Sequence, residues 1–552
     1  MSEFTILRFY DCNRSVLQGI RQHKQWLFLW GAAVLLLFWN LGTGAFTAAE
    51  CISASAAQTL LDKPDILPGG NGFLTRLVWL FSSSSGVVTE ISARLPVAMG
   101  ALLVLGAVIA IAHKLFGRSA ALASGWFCLT TVGFLFIGRL VAADMTLAAI
   151  MLWSIALYLF SREKMSLCSS LLFWLLISFG FYAGGFFAFF PVVVMICDIV
   201  FRKQLRNLLQ WRNITGIFCG IAVYVALDKF CDFRCHDFGI SLRVEPGTVL
   251  NMSLPWTPLF IFAFFDMMKR KNQIPDSRLL FYCFLITFLC AFVLKNTVVP
   301  LLGFAAVACG VMLTASPATV PQLFSKLLFR LADALLPVFS LVLLLTPVLF
   351  KWLAPRYLPD RLSYPNWFVA VFYFAAPVVG VLIFIWQTLL IRRRKQKKAM
   401  PEICGADPVP DRVIPVFAFL LLLLFAMIFP GMASDPVFCS RKPFLLQTKE
   451  ILQKQYGLKH PQCIYLLPGK AEAECKIYLE RGEKISPVQV MQNPSEMLAA
   501  LKKHGGALVG LQQDFARYEI PLTGLVFVEP VSFSDPRSSG NPEKLAVLLF
   551  MK

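Results

Sequence analysis

Apolar runs of about 20 residues, separated by short charged clusters, dominate the chain up to residue 432. None of them shows the period-two alternation of a transmembrane β-barrel strand. In lipid, a helix satisfies its own backbone hydrogen bonds, so the pattern predicts membrane-spanning helices. Thirteen spans follow, near 25–42, 95–114, 119–137, 144–161, 167–183, 185–201, 213–229, 253–268, 278–294, 297–315, 328–350, 367–391 and 412–432. The fifth and sixth share one apolar run broken only at Gly184-Gly185, and a single kinked helix is the alternative there.

The charges between the spans assign an orientation. Arg8, Arg14, Arg21 and Lys24 precede the first span, and Lys114 and Arg118 lie between the second and third. Arg162 and Lys164 follow the fourth; Arg202, Lys203, Arg206 and Arg212 follow the sixth. Lys269, Arg270 and Lys271 follow the eighth, and a basic run at 392–398 follows the twelfth. All fall on one side, which the positive-inside rule makes cytoplasmic. The later clusters argue against fusing the fifth and sixth spans. On the opposite side lie loop 43–93, the turn carrying Arg139 and Asp144, loop 230–252, segment 351–366 and the tail from 433. The first span follows a basic tail and shows no small-residue cleavage site, so it is expected to stay as an anchor.

The last 120 residues change character. A helical pattern over 445–456 leads into strand-like Cys463-Ile464-Tyr465-Leu466-Leu467, then a Pro468-Gly469 turn and a second strand-like run, Cys475 to Leu479. A helix over 495–504 and strands over 507–511, 525–528 and 545–550 complete a small α/β domain. Cys463 and Cys475 lie symmetrically about the turn, so a cross-strand disulfide fits as well as two half-buried thiols do. Cys231 and Cys235 form a second candidate pair. A metal site is disfavoured there, because His236 is the one histidine near them.

Composition agrees with the span pattern. The 552 residues are 57% hydrophobic and 15% charged, with a mean hydropathy of +0.68. The net charge of +19 would suggest nucleic-acid binding, but the cations sit in the short loops that the positive-inside rule fills. Nucleic acid is therefore not an expected partner. A transporter is also disfavoured: the acids Asp198, Asp266 and Asp333 lie near span ends, and no paired repeat halves stand out.

Arg139 and Asp144 mark a functional candidate, because ionisable residues at a span edge are expensive to place. Around them, Ala93-Arg94-Leu95-Pro96, Leu115-Phe116-Gly117-Arg118 and Gly138-Arg139 with Asp144 resemble the N-terminal half of the C-type membrane glycosyltransferases. The branch most similar is that of the lipid A aminoarabinose transferases and the dolichyl-phosphate-mannose protein mannosyltransferases. Leu254-Pro255-Trp256 and the stretch from Lys295 to Pro300, each opening a span, add to the likeness. A soluble extracytoplasmic domain after the last span also fits the aminoarabinose-transferase layout.

The resemblance implies transfer of a hexosyl or pentosyl group from a polyprenyl-phosphate donor, by inverting displacement, to a lipid, glycan or protein acceptor. The place would be the periplasmic face of the bacterial inner membrane, with lipid A modification as one such reaction. Residues 1–432 would form the transmembrane domain, with a cytoplasmic N-terminus, and 433–552 a periplasmic α/β domain. Glu50, in Phe46-Thr47-Ala48-Ala49-Glu50-Cys51, stands where the family carries an acidic pair, and is the candidate base. A favourable charge at a helix start is the plainer reading of Glu50. Asp144 matches the second acidic position and would hold the acceptor, a cation or Arg139; a structural ion pair with Arg139 is its alternative.

Arg94 and Arg139 are candidates for the carrier phosphate, through bidentate contacts, against snorkelling to lipid headgroups. Lys295, Arg234, His236 and Arg243 are further phosphate candidates, and Arg76 stands where the family has a Lys-Pro pair. Some of the family's residues are replaced. One acid of the pair and the Lys-Pro motif are absent, and the usual Lys-Gly-Pro after the fifth span reads Ala183-Gly184-Gly185. A non-catalytic polyprenyl-phosphate binder on the same scaffold is therefore the second expectation. The sequence requires no cofactor and leaves a divalent metal open.

Overall fold

The structure, a computed structural model, describes residues 25–39, 48–62, 72–163, 166–202, 211–231, 252–291 and 297–314, with Pro255 and Gln273 excepted. It also describes residues 41, 42 and 46, scattered positions between 340 and 388, and short stretches between 445 and 550. The spans expected after residue 315, the loop 230–252 and Cys463 lie largely or wholly outside these residues.

Helices dominate. In chain order they are α1 (Gln25–Phe38), α2 (Ala48–Asp62), α3 (Gly72–Ser82), α4 (Glu90–Phe116), α5 (Arg118–Leu129), α6 (Val132–Ile137) and α7 (Ala143–Ser161). After them come α8 (Leu167–Gly184), a 3₁₀ turn (Gly185–Phe189), α9 (Phe190–Phe201), α10 (Trp211–Cys231), α11 (Thr257–Arg270), α12 (Pro275–Ala291) and α13 (Val298–Thr314). Among the described residues, α4 and α7 are long and apolar enough to cross a membrane unaided, at 27 and 19 residues. Leu27, Leu103, Phe160 and Phe218 are exposed on the outer surfaces of α1, α4, α7 and α10, as lipid-facing side chains are.

Local chemistry sets the ends of these helices. Thr89 and Ser92 form a reciprocal capping box, so α4 begins before its apolar run and carries Arg94 in its second turn. Gly117 takes φ +88°, a conformation open to glycine, and this turn separates α4 from α5. The expected span 119–137 is broken at Thr130-Thr131. Their hydroxyls donate back to the carbonyls of Trp126 and Phe127, competing with the ladder. Trp256 then donates its indole N–H to Thr130 Oγ1 at 2.9 Å, and the Val132 amide donates to Leu254 O at 2.9 Å. The segment at 253–256 thus takes up the groups that the break frees.

The run shared by the fifth and sixth spans is two helices. A Cβ on Gly180 would stand 3.1 Å from the Cβ of Ala188, whereas residues eight apart in one helix are about 12 Å apart. The chain therefore turns back through the 3₁₀ segment into α9. The ends of α7, α9 and α12 then meet in one charged network. Asp276 receives Arg162 at 3.1 Å and Arg202 at 3.0 Å, while Asp198 receives Arg202 at 3.1 Å and the Tyr158 hydroxyl at 2.8 Å. The basic loops after α7 and α9 accordingly share one end of the bundle. Nineteen residues of α7 separate it from Asp144 at the other end, about 28 Å, close to the hydrocarbon thickness of a bilayer.

Helices pack closely where glycine removes the side chain. Gly310 of α13 lies against Ser124 and Ala120 of α5, and Gly216 and Gly220 of α10 against Ser170, Trp174 and Ser178 of α8. Ser178 adds an interhelical hydrogen bond to Gly220 O at 2.8 Å.

The C-terminal region forms one five-stranded sheet, of order β2-β1-β3-β5-β4, from β1 (Ile464–Leu466), β2 (Gln489–Val490), β3 (Gly506–Leu511), β4 (Leu525–Val528) and β5 (Leu545–Phe550). β1 pairs in parallel with β2 and β3; β5 runs antiparallel to β3 and β4. Two helices are α14 (Glu472–Glu480) and α15 (Gln512–Arg517). The expected hairpin through Pro468-Gly469 is instead a strand followed by α14. Cys475, Tyr478 and Leu479 are buried at helical i, i+3, i+4 spacing, and the alternation of Cys475, Ile477 and Leu479 hid that period. Cys475 therefore stands on a helix, and the cross-strand geometry proposed for it with Cys463 does not arise.

Replacing Gly310 by Val tests the close packing. A Cβ there would sit 2.7 Å from Ser124 N and 2.8 Å from Ala120 O. The expected loss is about 1–3 kcal/mol, read as a lower unfolding midpoint of the detergent-purified protein. Gly31→Ala, whose Cβ meets nothing within 4 Å, should be neutral or stabilising in the same assay.

Candidate functional site

The charged residues at the other end of the bundle form one cluster. Glu50 stands in the first turn of α2, where its charge favours the helix. Arg94 reaches it from α4. Nε donates to Oε1 at 2.8 Å and Nη2 to Oε2 at 3.0 Å, a bidentate pair. Oε1 also accepts the backbone N–H of Val141 at 3.0 Å, and Arg94 Nη1 donates to Leu41 O at 3.2 Å. Both partners are nearly inaccessible, Glu50 at 1% and Arg94 at 4% exposure.

Arg139 is buried in the same region. Its guanidinium donates to the carbonyls of Leu36 and Trp39 at the C-terminal end of α1. The last carbonyls of a helix run out of intrahelical donors, and a cation also suits the negative end of the helix dipole. Burial lowers the Arg139 pKa to about 10 and the neighbouring Arg94 charge adds to the shift, which still leaves Arg139 cationic at neutral pH.

These contacts revise several expectations. Neither arginine snorkels; both are enclosed by protein. The ion pairs among the described residues include no Arg139–Asp144 pair, and Asp144 forms none. Asp144 is half-buried in the first turn of α7, three residues beyond the Val141 amide that Glu50 holds. The structure thus joins Glu50, Arg94 and Arg139 and leaves Asp144 as the half-buried acid that follows Arg139 in sequence. A Glu50 carboxylate that receives three donors is fixed in place, which suits positioning better than proton abstraction. Arg76 is half-buried on α3. Arg234, Arg243, Lys295 and His236 lie outside the described residues. No group of three or more His, Cys, Asp or Glu side chains arranged to hold a metal occurs among the described residues.

One participant escaped the sequence reading. Tyr478 of α14, fully buried, accepts the backbone N–H of Phe46 through its hydroxyl at 2.8 Å. The Phe46 ring lies 6.3 Å from the Tyr478 ring and beneath the Arg94 guanidinium, 5.7 Å from ring centroid to Cζ. Nothing local signals this contact, because 432 residues separate the two partners.

This arrangement of helices is the fold of the C-type membrane glycosyltransferases. The chain is similar in particular to ArnT from Cupriavidus metallidurans, whose solved structures include an apo form and one bound to undecaprenyl phosphate. The likeness covers 94% of this chain and 97% of that one at 15% identity, with TM-scores of 0.63 for the bound and 0.64 for the apo form. At that identity the likeness is one of fold. The sequence matches no protein-family model and no curated protein.

The buried pair makes a thermodynamic prediction. Glu50→Leu or Arg94→Met alone should cost about 3–5 kcal/mol, because each strands the opposite charge without its partner. The double variant should recover most of that loss. A double-mutant cycle of unfolding midpoints measures it; strictly additive losses would count against a coupled pair.

Proposed function

We propose that this chain is a membrane glycosyltransferase that moves a hexosyl or pentosyl group from a polyprenyl-phosphate donor to a lipid, glycan or protein acceptor. The observation that carries this reading is the fold shared with ArnT along nearly the whole of both chains, together with the acidic and basic groups at one bundle end. ArnT is a lipid A aminoarabinose transferase, and one of its structures holds undecaprenyl phosphate. In this proposal the chain crosses the bacterial inner membrane thirteen times. Its N-terminus is cytoplasmic, residues 1–432 form the transmembrane domain, and 433–552 form a periplasmic domain. The apolar runs and one-sided basic clusters of the sequence support that topology.

Transfer is taken to proceed with inversion. The acceptor oxygen attacks the anomeric carbon as the bond to the phosphate oxygen breaks, and the bonding electrons leave with the polyprenyl phosphate. Asp144 accepts the acceptor's proton or orients its hydroxyl. The departing phosphate is met by cations from the outer loops, for which Arg76, Arg234, Arg243 and Lys295 are the candidates. Arg94 and Arg139 are engaged within the protein, and their role is to fix the walls of the site. No metal is assigned a step.

The engagement of Glu50 by Arg94 favours one second reading, a carrier-phosphate binder that no longer transfers sugar. Purified protein in lipid, given radiolabelled polyprenyl-phosphate sugars and a panel of acceptors, separates the two. Transfer should be detected, and Asp144→Asn should reduce it by about 10²–10⁴-fold while undecaprenyl-phosphate binding holds. Binding with no transfer from any donor, or full transfer by the Asn variant, would overturn the assignment.

A further inference from the structure

The contact that the proposed chemistry leaves unused is the one between the C-terminal region and the first outer loop. α14 packs against α2, and two hydrogen bonds mark the contact: the Phe46 amide to the Tyr478 hydroxyl, two residues before α2 begins, and Lys476 Nζ to Thr59 Oγ1 at 3.3 Å, near its far end. The Tyr478 contact falls on the turn that presents Glu50. From Tyr478, a continuous chain of contacts runs through the Phe46 ring to the Arg94 guanidinium, then to the Glu50 carboxylate, and ends on the Val141 amide. Asp144 follows three residues later.

We propose that Tyr478 is a positioning residue for this site: through Phe46, Arg94 and Glu50 it sets the backbone of the 138–142 turn and hence the approach of Asp144. The C-terminal region is then a working part of the transferase site and not an appended cover. The physical basis is that every link is buried or held by a directional bond. Phe46 N–H has a phenol oxygen as acceptor, and Glu50 accepts from both Arg94 and Val141. A displacement of α14 is therefore passed toward Val141 through directional contacts between buried groups.

This inference rests on the transferase reading for its kinetic consequence, but its structural arm stands apart from it. In the full-length protein, Tyr478→Phe removes one hydroxyl and keeps the ring. Amide hydrogen exchange at Val141 should accelerate, with the unfolding midpoint and undecaprenyl-phosphate binding held near wild type. In the Glu50→Leu/Arg94→Met background, the same Tyr478→Phe change should leave Val141 exchange unaltered, because the relay is already cut; a merely structural role would show the same effect in both backgrounds. Where transfer is measurable, kcat should fall about 10- to 100-fold with donor KM unchanged, the signature of a displaced reacting group. Lys476→Ala, at the other anchor, should spare both readouts. Exchange at Val141 that ignores Tyr478→Phe overturns the relay. Wild-type protein inactive with every donor defeats the transferase reading, while the exchange comparison still decides the relay.

Discussion

Two opposite charges withdrawn from water determine the geometry of the bundle's functional end. Placing Glu50 and Arg94 in the interior costs several kcal/mol each unless they meet in good geometry, and the bidentate contact with added backbone donors supplies that geometry. Meeting it requires the start of α2, the second turn of α4 and the 138–142 turn to occupy one place. Leu41, just beyond α1, is drawn in by Arg94, and α1 itself is closed by Arg139. Loops that would otherwise be free to settle in several ways have one arrangement in which no charge is stranded.

Much of the helical scaffold is legible in the apolar runs, since α4, α7, α10 and α13 each fall within a few residues of an expected span. Their ends are legible where a charge or a capping residue stops the run. The failures have a common cause. Thr130 and Thr131 read as ordinary members of an apolar stretch, and one partner that accommodates the break there is a tryptophan 126 residues away. Cys475 to Leu479 carries both a period of two and a period of 3.6, and only packing against other elements chooses between them.

The candidate site was legible as an inventory and not as a set of pairings. Sequence shows that Arg94, Arg139, Glu50 and Asp144 are costly where they stand; it does not show which neighbour offsets each cost. Proximity in the chain points to Arg139 with Asp144, and three-dimensional packing gives Arg139 the carbonyls at the end of α1 instead. The far end follows the same logic with different partners. There, Arg162 and Arg202 are balanced by Asp198 and Asp276, which holds three helix ends together without a net charge.

The length of α4 has a consequence for where the site stands relative to lipid. Twenty-seven residues rise about 40 Å, some 10 Å beyond the hydrocarbon thickness of an average bilayer. The surplus of nearly two turns must be taken up by tilt or by projection past the acyl chains. Pro96 and the polar residues from Glu90 to Arg94 lie at one end and His113 and Lys114 at the other, so part of the projection falls at the Arg94 end. A positive hydrophobic mismatch in this one helix would carry the Glu50–Arg94 pair out of the acyl region and into the headgroup layer. That is the depth at which the phosphate of an embedded carrier lipid resides.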